Sequence, residues 1–429
     1  MQASSDVLPD VKPTKKRLTI LALVAVATMI NYLDRTLISV AAPAMSKELG
    51  LGPVVMGLVF SVFSWSYAAA QIPGGALLDR YGTKRVYFWA LTIWSGLTAL
   101  QGAVAGFWSL IAMRLGVGAA EAPCFPANSR ILVSWFPQRE RARANSVYSV
   151  GMYFGIAFLS PILFWILANY GWRSLFFIVG TIGMLFGIVW LKVYREPSEH
   201  PGINEGERRL IAEGGGGLVA QAPGFEWSAL LALFRKRQIV GASIGQFATN
   251  STLVFFLTWF PTYLAVERGM DWLKIGFMAT LPFLAASLGV LVGGQLSDRL
   301  VTMTGSLTFG RKFPIVTGLL LSSTIALAAF LESDLLIIIV MSVAFFGQGM
   351  SNLGWTLLSE VAPLRYIGLA GGAFNFFTNI AGIITPLAIG AILAWTGSFY
   401  GALAMVGMLA MLGAFSYTFI VGEVKRIEL

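Results

Sequence analysis

Two acids and two guanidinium groups, Asp34, Arg35, Arg114 and Glu121, sit inside the apolar runs 18–43 and 108–134. On insertion scales an isolated charge at the centre of a membrane helix costs roughly 2.5–3.5 kcal/mol, so four unpaired ones would cost on the order of 10 kcal/mol. They are therefore expected to face one another or a polar cavity, marking a pathway for a charged solute. Arg114 and Glu121 are two helical turns apart and share a face. At the rise of an α-helix, Asp34 and Arg35 lie about 24 Å along the first run, and Arg114 lies about 9 Å into the fourth from its opposite end. Arg114 and Asp34 thus fall at similar depth.

The arrangement this predicts is one polar track. Asp34 neutralises Arg114, Arg35 stays available to an incoming anion, and Glu121, in apolar company, binds and releases protons. The planar fork of Arg donates two parallel hydrogen bonds to a carboxylate, so an anion with at least one carboxylate, moving together with protons, is the chemistry these residues suit. A purely structural ion-pair network is the alternative, but apolar packing would serve that purpose at lower cost. The only histidine, His200, lies in a polar central stretch, which leaves proton coupling inside the membrane to carboxylates. Cys124 is the only cysteine, so no intramolecular disulfide forms.

The second half of the chain has no comparable buried charge. It offers neutral groups instead: Gln246 and Asn250, Asn352 and Trp355, and Asn375 and Asn379 one turn apart on a shared face. Amides both donate to and accept from hydroxyls, which suits a polyhydroxylated solute, although interhelical packing is an equal use for any one of them. Tyr32, Trp65 and Tyr67 lie close to the charged track in sequence and could wall it with rings.

The elements that must hold these groups are membrane helices. The chain has 429 residues, 56% hydrophobic and 12% charged, with mean hydropathy +0.74. That is too little charge for a soluble surface of this size. Runs of membrane length recur, and we count twelve, among them 86–106, 144–168, 172–194, 313–331 and 335–358. Of the 30 Lys and Arg residues, twenty-two flank one side and only Lys47, Arg173, Arg268 and Lys274 the other, so the positive-inside rule puts both termini in the cytoplasm. The first apolar run is of full membrane length behind a polar tail, so no cleavable signal is expected.

The segment Gly74–Arg80, GGALLDR, returns 219 residues later as GGQLSDR, Gly293–Arg299, each opening a basic loop. A weaker echo pairs Ser160 and Pro161 with Thr385 and Pro386. The chain reads as a duplication, with a tail at 1–17, a six-helix bundle at 18–194, a cytoplasmic linker at 195–237, a second bundle at 238–421 and a tail at 422–429. The linker reads as solvated, with a helix start at Asn204 and a surface helix over 225–234.

The duplicated Gly-Leu-Asp-Arg segment resembles the loop signature of the major facilitator superfamily, and the resemblance implies that Asp79, Arg80, Asp298 and Arg299 are gating residues. The strings NYLDR, FSVFSWSYAAAQIPGG, EAPCFPANSR, WFPQRERA and FFLTWFPTYL resemble its anion:cation symporter family, and within it the bacterial sugar-acid porters of the galactonate and glucarate or galactarate types. That resemblance implies proton-driven uptake of hexonates or hexarates across the inner membrane. It implies proton coupling at Asp34, Glu121 and Arg114, substrate carboxylate binding at Arg35, and cavity positions at Tyr32, Tyr67, Gln246, Trp355 and Asn375. The chain departs from the family at Met152, where these porters carry Gln, and is closer to the glucarate type at Gly354.

The reading is an all-α membrane protein of twelve helices in two bundles, both termini cytoplasmic, that moves a sugar-acid anion with protons by alternating access. It expects protons as the coupling ion, no cofactor or metal, the lipid bilayer as surroundings, and neither nucleic acid nor an obligatory protein partner. Another organic carboxylate, such as an aromatic acid, tartrate or phthalate, is the nearest alternative substrate, and a non-transporting sensor the alternative class. An enzyme is not expected, since no nucleophile constellation, metal cluster or phosphate loop is evident.

Overall fold

The computed structural model describes residues 12–216, 227–363 and 366–428. In the first half these form α1 (Lys16–Leu49), α2 (Pro53–Tyr81), α3 (Thr83–Gln101), α4 (Phe107–Glu121), α5 (Cys124–Trp135) and α6 (Gln138–Val193). Between the halves lie α7 (Glu205–Glu213) and α8 (Trp227–Phe234). The second half holds α9 (Arg237–Thr258), the single turn α10 (Phe260–Thr262), α11 (Trp272–Thr304), α12 (Leu307–Ser323), α13 (Asp334–Ser351), α14 (Gly354–Val361), α15 (Ile367–Thr396) and α16 (Tyr400–Phe415). Nine helices among the described residues are long and apolar enough to cross a membrane.

Several boundaries differ from the sequence reading for local reasons. The run 108–134 is two helices, α4 and α5, because Pro123 at the start of α5 has no N–H to continue the ladder. Runs 144–168 and 172–194 lie in one element, α6, folded at Gly171 with φ 77 and ψ 170, a conformation open to glycine at little cost. The run 335–358 divides into α13 and α14 around Asn352 and Leu353. Run 313–331 starts earlier, at Leu307, where the Ser306 hydroxyl accepts from the Phe309 N–H at 3.2 Å, and ends in the 3₁₀ turn Thr324–Phe330.

The linker is less solvated than its composition implies. Asn204 caps α7 as read, its side chain accepting from the Glu207 N–H at 2.9 Å. But Glu207 is fully buried, and its carboxylate accepts from the Lys16 and Arg17 N–H groups at 3.0 and 3.1 Å, satisfying donors at the start of α1 that have no partner within the helix. Arg17 also pairs with Glu207 at 3.0 Å and Glu140 at 2.9 Å. His200 meets the Trp135 ring edge at 5.5 Å, and burial, with Lys16 and Arg195 nearby, holds its imidazole below the usual range. Of the surface helix expected over 225–234, α8 is observed from Trp227; 225 and 226 lie outside the described residues. At the same end of the molecule, the second tail docks through the Ile427 N–H on the Val361 carbonyl at 2.8 Å.

The core shows how the halves meet. Away from the termini, one apolar cluster draws on both halves, with Leu37, Met45 and Phe60 beside Phe256, Phe283 and Phe345. Toward the termini it divides into a first-half cluster, including Tyr87, Trp94 and Trp135, and a second-half cluster, including Leu319, Phe374 and Tyr417. The shared end is stitched by backbone contact. A Cβ on Gly57 of α2 would lie 2.6 Å from the Pro386 carbonyl oxygen of α15, and one on Gly276 of α11 would lie 3.1 Å from Pro161 of α6. The echo of Pro161 in Pro386 seen in the sequence is thus two equivalent seams, each placing a proline of one half against a glycine of the other.

Candidate functional site

The four charges converge, but not in the expected pairs. Arg35 Nε donates to Glu121 Oε2 at 2.9 Å, so Arg35 is engaged and Glu121 has a charged partner. Asp34 does not bond Arg114. Both Asp34 oxygens lack a hydrogen-bond partner, and Arg114 Nε donates to the Val59 carbonyl at 3.4 Å. Successive residues on a helix point about 100° apart, so Asp34 and Arg35 cannot both aim at α4. Arg35 does so, while Asp34 turns toward Trp94 of α3 and feels Arg114 and Glu121 only through their charge. Arg114 and Glu121 do share the buried face of α4, at 2% and 0% exposure.

Around Arg35 stand four rings, Tyr32, Phe63, Tyr67 and Phe125, with centroids 5.0, 4.8, 4.8 and 6.0 Å from the guanidinium carbon. Phe63 also lies 4.9 Å from the Arg114 guanidinium, so one ring serves both cations. Each such contact contributes about 2 kcal/mol when desolvated. The placement of Phe63 follows from Gly118 of α4, where any Cβ would run into the Phe63 carbonyl oxygen and the Ser66 hydroxyl, so α2 packs directly on α4. Tyr32 and Tyr67 join the cage as read. Trp65 does not: it is 47% exposed, and its indole N–H donates to Ser61 Oγ at 2.8 Å. The amide of the fully buried Asn31 lies near enough to act on the Glu121 carboxylate but closes no hydrogen bond of good geometry.

In the second half the amides are largely occupied. Asn250 Nδ2 donates to the Thr378 carbonyl at 2.6 Å and Asn379 Nδ2 to the Asn375 carbonyl at 2.9 Å. Asn375 Nδ2 reaches across to Gln71 Oε1 of α2 at 2.7 Å, a bond between the halves. Gln246 is buried and its Oε1 has no partner. It sits beside Gly354, where a Cβ would lie 2.8 Å from Gln246 Oε1 and 2.5 Å from the Tyr417 hydroxyl. Trp355 is 37% exposed and meets Phe374 edge-on at 4.9 Å. Met152, by contrast, is buried in the shared apolar core.

At the end bearing the termini, Asp79 pairs with Arg130 of α5 at 2.7 Å, and Asp298 pairs with Arg311 of α12 at 2.7 Å. Arg311 also holds Glu360 of α14 at 2.9 Å. Arg80 and Arg299 are exposed, and Arg80 lies over the Tyr81 ring at 5.3 Å. The acids of the repeated segment are thus bound by arginines from neighbouring helices, not by the arginine beside them. Sequence reasoning missed Phe63, Phe125, Asn31, Gln71, Arg130 and Glu360. Gln71 and Arg130 carried a usable signal, being polar groups within or at the end of apolar runs; Phe63 and Phe125 carried none.

The Major Facilitator Superfamily model matches residues 24–386. The chain is 45% identical over 432 residues to the probable galactarate/D-glucarate transporter of Escherichia coli strain K12, covering 97% of this chain and 96% of that one. It is 42% identical to the D-galactonate transporter of Escherichia coli O6:H1 over 97% and 98% of the two chains. It is 31% identical to the hexuronate transporter of Bacillus subtilis strain 168 over 93% of each. Among solved structures it resembles a D-xylose–proton symporter, with TM-score 0.74 and 15% identity over 95% and 98% of the chains. It also resembles a bacterial homologue of the human lysosomal transporter Spinster in an inward-facing, unoccupied conformation, with TM-score 0.69 and 20% identity over 95% of each.

Proposed function

We propose, on the premise that the chain belongs to the Major Facilitator Superfamily and is a membrane transporter and not an enzyme, that it carries a sugar-acid anion, a hexonate or hexarate, together with protons. The observation that carries this reading is the Arg35–Glu121 bond at 2.9 Å inside a cage of four rings. Arg35 is held by an acid that one proton would neutralise. While Glu121 is ionised it occupies the guanidinium and balances its charge. Once Glu121 is protonated, Arg35 is left as a cation that water cannot fully solvate, and a substrate carboxylate restores the balance. Proton and anion then bind together because each removes the penalty of the other.

The remaining roles follow from position. Arg114, sharing Phe63 with Arg35, would transmit the charge change to Asp34, which with Glu121 makes the proton-coupling set. Tyr32 and Tyr67 wall the carboxylate end. Gln246, Asn375 and Trp355 would read hydroxyls, with Asn250 shaping that surface through its bond to α15 and Asn379 through its bond within α15. Gln71 would leave Asn375 as substrate enters. Twelve crossings are reached if the nine long apolar helices are supplemented by dividing α6 at Gly171, by α3 and by the α4–α5 pair. With the basic flanks inside, both termini face the cytoplasm and the shared core seals the outer end, so the cavity opens inward across a bacterial inner membrane. Asp79 with Arg130 and Asp298 with Arg311 would regulate closure of that cytoplasmic end.

The bundle limits read from sequence, 18–194 and 238–421 with the linker 195–237 between, serve as the two moving bodies. Uptake into proteoliposomes of labelled galactarate, glucarate, galactonate and a hexuronate, with and without an acidic exterior, tests the proposal. Accumulation of one of these sugar acids only when the exterior is acidic is expected. Accumulation independent of the pH gradient would refute proton coupling, and preference for phthalate or an aromatic acid would refute the substrate class.

A further inference from the structure

Asp34 is 1% exposed, and although the Trp94 indole N–H is near enough to act on its carboxylate, neither oxygen closes a hydrogen bond of good geometry within the protein. The same is true of a row of groups on α3. The Ser95 and Thr98 hydroxyls and both amide atoms of Gln101 are buried and unpartnered, and the buried Trp94 indole N–H faces Asp34 without closing a hydrogen bond of good geometry. Trp94, Thr98 and Gln101 recur at i, i+4 and i+7, so they line one face of the helix, with Ser95 beside them. The row starts at Trp94, next to Asp34, and runs about 10 Å to the end of α3 remote from the termini. There Arg173 donates to the Val104 carbonyl at 3.4 Å and pairs with the half-exposed Glu48. The row therefore ends beneath an ion pair at the outer surface.

Many buried hydroxyls here satisfy themselves locally, as Thr28 and Ser160 do by donating to the carbonyl four residues earlier at 2.8 and 2.7 Å, whereas Thr83, Ser243 and Thr252 are unpartnered but isolated from one another in sequence. Ser95 and Thr98 are neither satisfied nor isolated. Buried hydroxyls and amides are nearly always hydrogen-bonded, and an internal water commonly bridges two to four such groups. A helix face with a donor or acceptor at each turn is what a file of water needs on one of its sides. We infer that this face of α3 is a hydrated proton path from the outer surface to Asp34, with Gln101 and Thr98 as its positioning residues. The inference rests on the proton-coupled reading above. The charged groups around its inner end are Arg114 and Glu121 of α4, and the Arg114 cation would oppose a proton moving past Asp34 toward the substrate cavity.

The test separates proton delivery from substrate handling. In proteoliposomes with an acidic exterior, Thr98→Val, which replaces the hydroxyl with a methyl group of similar size, and Gln101→Leu should slow the initial uptake of labelled galactarate about tenfold or more. Thr98→Ser, which keeps the hydroxyl, should match wild type. Exchange of labelled for unlabelled galactarate at equal pH needs no net proton movement and should be unchanged in all three. Wild-type gradient-driven uptake in Thr98→Val and Gln101→Leu would overturn the path. So would a parallel loss of uptake and exchange, or a defect in Thr98→Ser greater than in Thr98→Val, since both mark a packing role. If the wild-type protein exchanges galactarate but ignores the pH gradient, the coupling reading itself fails, and the path with it.

Discussion

At the centre of the first half the polar groups are ionised and poorly matched: Arg35 holds Glu121, while Asp34 and one Arg114 nitrogen have no hydrogen-bond partner. At the corresponding place in the second half they are neutral and mostly matched, Asn250 on Thr378, Asn379 on Asn375, and Asn375 on Gln71. Yet the scaffold is the same. Gly57 and Gly276 are 219 residues apart, the spacing of the repeated GG-Leu-Asp-Arg segment, and each takes a proline of the opposite half. Asp79 and Asp298, at the same spacing, each take an arginine from a neighbouring helix. Duplication thus constrains packing seams and end-of-helix ion pairs, which both halves need, and leaves the central polar residues free to diverge. Unmatched charges fit the proposed change of protonation, and matched amides fit a region that holds a shape.

The comparison is open to attack at each level. The largest effect is expected at Arg35, where Lys keeps the charge but not the planar fork. Hydrogen bonds to charged groups contribute about 1.5–3 kcal/mol. Arg35→Lys should therefore weaken galactarate binding in detergent by about 10- to 100-fold, and near-wild-type affinity in folded protein would remove Arg35 from the site. Next comes the seam. Gly57→Ala forces a Cβ to within 2.6 Å of a backbone oxygen, whereas the methyl of Gly276→Ala meets its neighbours at 3.1 Å. Overpacking costs about 1–3 kcal/mol. Gly57→Ala should accordingly lower the thermal unfolding temperature more than Gly276→Ala does, and equal shifts would show that the two seams are not tight to different degrees. The smallest effect is expected from Asn375→Ala, which removes one neutral hydrogen bond of about 0.5–1.5 kcal/mol. It should change galactarate affinity by less than about tenfold and alter the ratio of galactarate to galactonate uptake. A loss as large as that of Arg35→Lys would erase the division of labour between halves.

What could be read beforehand follows the same division. Charge inside an apolar run is conspicuous, so Asp34, Arg35, Arg114 and Glu121 were visible in the sequence, as was the repeated segment at 74–80 and 293–299. Their pairing was not. Helix rise gives depth along the axis, which placed Arg114 near Asp34, but the lateral direction of neighbouring helices decides which of two adjacent residues faces α4, and Arg35 does. Phe63 and Phe125 were hidden because an aromatic residue in an apolar run looks like any other packing residue. The partners of Asp79 and Asp298 were hidden for a different reason: Arg130 and Arg311 approach from other helices, whereas Arg80 and Arg299 are merely next in sequence. The fold in α6 at Gly171, with φ 77, was legible as the glycine between two apolar runs.

The central claim is that one proton on Glu121 releases Arg35 to the substrate. The direct measurement is calorimetric binding of galactarate to purified wild type and Glu121→Gln across a pH series in which the ligand stays fully ionised. Wild-type affinity should fall as pH rises, by about tenfold per pH unit for one linked proton above its folded-state titration. Glu121→Gln, which mimics the protonated acid at every pH, should bind at the strong end of that range with no slope. A pH-independent wild type, or a Glu121→Gln variant that keeps the wild-type slope, would contradict the account.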